Sequence, residues 1–275
     1  MQATIGGEPR LGAHLNGGIS GAIDSARRVG LGVDGTPGGP IQVWSHNPTS
    51  WRASRPKDAV ITKFRQGCID LDLAPVVTHG IYLMNFASPD DTLHEKSINA
   101  LVDHLEVGAL IGATAVVIHP GSGVTLGVDE AVSRCALALR VVLGRTEALE
   151  NRPLIALETC AGAGKTIGRT FAELSAIIAQ AGNQASLAIC LDTAHLFGSG
   201  YDLASEDGLV ATIAAIRMTW VVPPGCFATT RQSSHARLLF SIGDPVLPGS
   251  TCSPEAVNLS SIVPSMPAKT LKARC

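Results

Sequence analysis

The sequence predicts an α/β protein: a TIM-type (β/α) barrel, incomplete, with six recognisable βα units and an irregular C-terminal tail. Three observations carry this expectation. Up to about residue 217 one pattern recurs, a short apolar run, a polar loop and a stretch with helical periodicity, at roughly 35 residues per unit. The side chains able to do chemistry stand at the C-terminal ends of the apolar runs: His14, His46, His79, His119, Glu158 and Asp192. In a barrel those ends converge on one mouth, whereas a doubly wound sheet would spread them along an edge. After residue 217 the pattern stops.

The first unit sets RLGAHL (10–15) before a helix near 18–29, and the second sets PIQVWSH (40–46) before one near 57–70. The third and fourth join APVVTH (74–79) to 90–111 and AVVIHP (115–120) to 128–149. PLIALET (153–159) with 170–181 and LAICLDT (187–193) with 203–217 complete the series. Residues 218–275 then hold seven of the sixteen prolines, eight serines and three of the seven cysteines, with five basic and two acidic side chains. Their longest proline-free stretch, 225–244, has room for one strand–helix unit and hardly for two. The expected organisation is therefore a barrel portion over 1–217 and a divergent Pro/Ser-rich tail over 218–275, loosely ordered from about residue 223. The first and sixth strands are then left with unpaired edges.

A chain of 275 residues can bury a sizeable core, and 45% hydrophobic against 16% charged residues excludes disorder of the whole. The net charge of −2 exerts no overall pull on nucleic acid, so a DNA partner would have to be held by a local site. No apolar run has the length of a signal peptide or a membrane span, and the expectation is a soluble intracellular protein with no membrane partner. The cysteines, at 68, 135, 160, 190, 226, 252 and 275, are odd in number and lack a CxxC pair, which fits buried or idle thiols.

CLDTAHLFGSGYDL (190–203) is the segment richest in chemistry, because a buried strand ends in Asp192 and His195 follows three residues on. A carboxylate and an imidazole at a strand end are ligand types for zinc or manganese, although an Asp capping a helix beside a surface His would read the same. Glu158 closes an apolar strand, where an ionised carboxylate needs a cation, either a metal or a neighbouring Arg or Lys. His79 and His119 also follow apolar strands, and each alone reads as a satisfied loop histidine. The recurrence of His, His, Glu and Asp on four successive strand ends favours one metal-binding rim. Gly164, Lys165 and Thr166 spell the end of a phosphate loop, but the glycine required five positions before Gly164 is Thr159, so that motif is rejected. The glycines of AGAGKTIG instead suit a tight turn or a close approach.

In their order and intervals, LGAHLNGGISGAI, QVWSHNPTSWRA, THGIYLMNFAS, VIHPGSG, ALETCAGAGKTIG and CLDTAHLFGSGYDL resemble the endonuclease IV family of apurinic/apyrimidinic endonucleases, over roughly residues 10–217. The resemblance implies a β/α barrel with a trinuclear zinc centre that cleaves the DNA backbone on the 5′ side of an abasic site, the activity of a zinc-dependent deoxyribonuclease IV. By position, His79 and His119 match ligands of one zinc and Glu158 the carboxylate bridging two. Asp192 matches a ligand of the second zinc and His195 one of the third, so Glu158 and Asp192 stand in the catalytic centre. Tyr82 matches an aromatic residue set against the lesion, and Asn47 and Trp51 lie in the DNA-facing loop. Pro48, Thr49 and Ser50 occupy the place where relatives often carry a bulky or basic wedge. The implied partner is duplex DNA containing abasic sites, bound by a monomer, in the nucleus or mitochondrion if the source is eukaryotic.

The tail departs from that pattern. The family's remaining ligands come from a His-Leu-Asn-Asp-like run, an Asp-Arg-His loop and a Glu on the eighth strand, whereas the tail offers only His235, Asp244 and Glu255, in unrelated contexts. Fewer than three zinc ions and weak incision are expected. A shifted reading frame, an alternative terminal exon or a rearranged gene would each produce such a boundary. Two other readings remain: a single-metal sugar isomerase or epimerase barrel, and a catalytically inactive abasic-DNA binder.

Overall fold

Eight strands in sequential order make one sheet in the computed structural model, which describes residues 11–182, 184–219, 227–233 and 236–242. The first six run parallel: β1 (Ala13–His14), β2 (Ile41–Trp44), β3 (Val76–His79), β4 (Ala115–Ile118), β5 (Leu154–Glu158) and β6 (Leu187–Asp192). Helices α1 (Gly18–Arg28), α2 (Asp58–Asp70), α3 (Asp91–Ile111), α4 (Val128–Arg145) and α5 (Phe171–Ala181) follow the first five strands in turn. After β6 come two helices, α6 (Thr193–Gly198) and α7 (Glu206–Thr219). This is the TIM-barrel-like arrangement of six βα units that the sequence predicts. Among the described residues, it does not anticipate α6, which begins directly at the strand end, or a single 3-10 turn at Gln184–Ser186.

Among the described residues the tail adds no further βα unit. Against the unpaired edge expected at the sixth strand, it supplies β7 (Phe227–Ser233), parallel to β6, and β8 (Ala236–Ile242), antiparallel to β7. The edge of β6 is therefore paired. Two runs containing aromatic and β-branched residues, separated by only two positions, suit a hairpin and leave no length for a crossover helix. β8 comes alongside β1 but shares no ladder with it among the described residues. His235, Asp244, Glu255, Cys226, Cys252 and Cys275 lie outside the described residues.

Local chemistry fixes the helix ends. The Asp90 carboxylate accepts the Thr92 and Leu93 N–H groups and starts α3, and Gly112, at φ 75°, ends it. At α5, Thr170 Oγ1 accepts the Glu173 N–H, while Glu173 Oε2 accepts the N–H groups of Gly168 and Arg169.

Two apolar layers separate the sheet from its helices, one built on α3, α4 and α5 and one on α1 and α2. Inside the barrel lies a smaller set, Val77, Ala115, Val117, Ala156, Ala188 and Cys190. These are short side chains, and they leave the space above them to longer polar ones. Because strand side chains alternate, the residues two positions beyond Val77, Val117, Ala156 and Cys190 project toward the same axis at the C-terminal end. Those residues are His79, His119, Glu158 and Asp192. Cys68 is half-buried, Cys135, Cys160 and Cys190 are buried, and none of the four forms a disulfide among the described residues; burial pushes the Cys68 thiol up to about 12. Among the described residues no helix is long and apolar enough to cross a membrane.

Candidate metal centre

Glu158 is the hub of the barrel mouth. Its side chain is 3% exposed, and its Oε2 lies 3.0 Å from His79 Nε2 and 2.8 Å from His119 Nε2. Nδ1 of His79 donates to the Gly80 carbonyl at 2.7 Å, which orients the ring and aims Nε2 at the carboxylate. Burial pushes the Glu158 carboxyl up, but hydrogen bonds from His119 and His79 and their charges outweigh it and hold the group well below the usual carboxylate range.

The ends of β5 and β6 carry a second donor group. The Asp192 N–H donates to Thr159 Oγ1 at 2.9 Å, locking the two strand ends together. Asp192 Oδ1 accepts the His195 N–H at 2.9 Å and so caps α6, while Oδ2 stands 3.8 Å from His195 Nδ1. Capping and metal-ligand geometry thus coexist in one carboxylate. His195 Nδ1 donates to the Thr159 carbonyl at 2.7 Å and lies 3.8 Å from Glu158 Oε1. Burial raises the Asp192 carboxyl, and the Glu158 charge adds to that, against the lowering by the His195 N–H and ring.

The two groups, His79–His119–Glu158 and Glu158–Asp192–His195, each offer three ligand atoms within 4.8 Å of one another and share Glu158. Mixed imidazole and carboxylate donors, with the rings of His79 and His195 each anchored by a backbone carbonyl, fit zinc or a similar divalent ion.

The remaining sequence candidates take different places. Tyr82 is 45% exposed, and its ring lies 5.6 and 5.9 Å from those of His79 and His119. Asn47 is exposed, and its Oδ1 accepts from the Thr49 N–H and hydroxyl, tightening the loop tip. Trp51 packs half-buried on the core, with the Lys96 ammonium 4.6 Å from its ring centre. His14 stands beside Trp44, whose ring lies 5.4 Å from His14 and 5.0 Å from His79. His46 turns away from the mouth and packs on His104 of α3. Trp44 and Thr159 were not singled out from sequence; the period-two spacing of Gln42 and Trp44 is the signal that would have found the first.

Asn85 joins the loop that follows His79 to the loop that follows His119. Its Oδ1 accepts the Ser122 N–H at 2.9 Å and its Nδ2 donates to the Ser122 carbonyl at 3.0 Å. Gly121 takes φ 108°, and a Cβ there would sit 2.2 Å from Asn85 Oδ1 and 3.0 Å from the Phe86 nitrogen. The AGAGKTIG loop docks on the same segment, through the Ile167 N–H on the Gly121 carbonyl and the Gly123 N–H on the Lys165 carbonyl, both at 3.0 Å. Its glycines, Gly162, Gly164 and Gly168, all take positive φ, as a tight turn requires, and Gly168 also packs closely on Pro120. Gly121→Ala is therefore expected to cost about 1–3 kcal/mol in a denaturant melt and to weaken zinc at the His79 group in a titration. Unchanged values in both measurements would refute it.

Comparison with known proteins agrees with this architecture. A family model described as xylose isomerase-like TIM barrel matches residues 39–221. A probable endonuclease 4 of Halothermothrix orenii is 37% identical over 202 residues, spanning 73% of this chain and 69% of that protein. One from Chloroflexus aurantiacus is 34% identical over 222 residues, 80% of this chain and 75% of that protein. The crystal structure of endonuclease IV from Thermus thermophilus superposes with a TM-score of 0.62 at 32% identity, covering 77% of this chain and 72% of that one. A D-psicose 3-epimerase at 15% identity and a TM-score of 0.57 shares the fold. The chain belongs to the endonuclease IV family of xylose isomerase-like TIM barrels.

Proposed function

We propose that this protein is a zinc-dependent DNA-repair endonuclease that recognises abasic sites in duplex DNA and hydrolyses the phosphodiester on their 5′ side. The observation that carries the reading is the sharing of Glu158 between two donor groups. His79 and His119 would hold one ion with Glu158, and Asp192 a neighbouring one; His195, which the resemblance assigns to a third ion, lies close enough to Glu158 and Asp192 to share that second site. Clustered divalent ions supply hydroxide at neutral pH and neutralise the phosphate under attack.

The protein's own residues do the rest. Thr159 and Gly80 fix the imidazoles of His195 and His79 by accepting their Nδ1–H groups, so the donors are preorganised. Tyr82, beside both histidines of the first group, would contact an extruded abasic nucleotide, which has no base stacking to lose. Asn47 and the loop containing Trp51 would flank the DNA.

The divergent segment 218–275 sets the limit on activity. With one histidine and two acids, it does not carry the family's other ligand motifs, so we propose fewer than three bound zinc ions and weak incision. The gene sequence beyond codon 217 would reveal a shifted frame if an alternative frame encodes those motifs.

The test uses the full chain, elemental analysis and three substrates: abasic duplex, intact duplex and a ketohexose. Expected are one or two zinc ions per chain, preferential binding of the abasic duplex, and slow incision abolished by a chelator. Binding without incision would identify a lesion binder, ketohexose epimerisation would replace the reading altogether, and three zinc ions with fast incision would refute the proposed limit.

A further inference from the structure

The loop between β2 and α2 is fastened to α3 by a polar cluster outside the metal centre. Ser45 Oγ lies 3.0 Å from His46 Nδ1 and 2.8 Å from His104 Nδ1, with all three side chains buried. The two rings are 4.2 Å apart. Further along the loop, the Tyr82 N–H donates to the Pro48 carbonyl at 3.0 Å, and Trp51 sits beneath Lys96, again from α3. Among the described residues, His46 Nε2 is buried without a hydrogen-bond partner.

One proton arrangement satisfies this cluster. A serine hydroxyl has a single hydrogen, so it donates to one imidazole and accepts from the other. A buried N–H without an acceptor is costlier than a bare lone pair. His46 therefore carries its proton on Nδ1 and donates to Ser45, whose hydroxyl donates to His104 Nδ1. His46 Nε2 is left as an unpaired acceptor, and both rings are neutral.

We propose that Ser45, His46 and His104 form a proton-sensitive latch: it holds the DNA-facing loop on α3 while both rings are neutral and releases it when His46 takes a proton at Nε2. That proton would create a buried N–H and a positive charge with no acceptor. Arg55, Asp103 and Glu106 line the adjoining cavity of about 80 Å³, Arg55 opposing the new charge and the two acids favouring it, but none pairs with Nε2. His79, from β3, acts on His104 through space. Burial holds His46 below its ordinary value; it holds His104 further below, with the charges of His46 and His79 adding to the effect.

The sign follows from linkage. A released His46 titrates near the ordinary value of about 6.5, and the latched one lower. The released state thus binds more protons between the two values. Latching is complete above about pH 6.5 and weakens up to tenfold per unit below it.

Hydrogen exchange of the full chain at about pH 7.5 and about pH 5.5, corrected for the intrinsic rate, tests this. Protection of residues 45–52 is expected to fall about tenfold on acidification while α3 stays protected. His46→Gln and His104→Gln, neutral side chains that keep hydrogen-bonding capacity, should show no such fall. The proposal is overturned by pH-independent protection in the unaltered chain, by an equal fall in the variants, or by simultaneous exchange of α3. If one variant does not fold, the other and the unaltered chain decide.

The meaning for DNA rests on the function proposed above, and a second arm separates the two. Affinity for an abasic duplex should drop about tenfold between the same pH values in the unaltered chain and stay constant in His46→Gln. Latch behaviour in exchange without duplex binding at either pH would leave the latch standing and remove the DNA reading. Duplex binding with pH-independent exchange would do the reverse.

Discussion

Replacing Glu158 by alanine is expected to empty both donor groups at once and to abolish any incision. The reason is geometric: Glu158 is the one residue common to the two groups, with Oε2 against His79 and His119 and Oε1 nearest His195. Removing a hydrogen-bond partner behind a metal ligand typically costs 10–100-fold in affinity. Loss of the shared ligand itself should therefore cost at least about a hundredfold at each site. Single replacements elsewhere should divide the effect. His119→Ala is expected to lower zinc binding at the first group alone, and Asp192→Ala at the second alone. Elemental analysis after equilibrium dialysis, with circular dichroism to verify folding, reads all three variants. Retention of the full zinc content by folded Glu158→Ala would show that the groups do not share a ligand.

The six βα units were legible because each strand is an apolar run with a helical period behind it. The candidate centre was legible for a related reason: a small inward residue, Val77, Val117, Ala156 or Cys190, stands two positions before each strand-end donor. Period two breaks down where the strand stops. Continued through Gln42 and Trp44, it would aim His46 into the mouth, but β2 ends at Trp44 and the chain turns, so Ser45 and His46 are both buried and His46 meets α3. Nothing local to residue 46 announces His104, 58 positions away. The short helix α6 was hidden because Asp192 serves at once as strand end and cap, and is also a candidate metal donor. The hairpin β7–β8 was missed because proline count argued against regular structure, while the two strands fall inside the one long proline-free stretch.

Phe86→Ala is expected to produce the largest loss of stability, about 3–5 kcal/mol, because a fully buried aromatic leaves both lost transfer energy and a cavity. Phe86 is 0% exposed and belongs to the layer formed with Ile81, Met84, Ile98 and Leu101. For a domain of this size the melting temperature should fall by on the order of 10 °C. The same substitution should reach the metal centre in a directional way. Phe86 follows Asn85, whose amide bonds tie the loop after β3 to the loop after β4, and its backbone nitrogen lies against Gly121. Loosening this junction displaces His119 relative to His79, whereas Asp192 and His195 are held from β5 and β6 through Thr159. Zinc affinity should therefore drop at the first group and hold at the second, and Phe86→Leu, which keeps most of the volume, should recover much of both losses. An equal loss at both groups would mean that Phe86 supports the barrel as a whole and that the Asn85 junction does not set the position of His119.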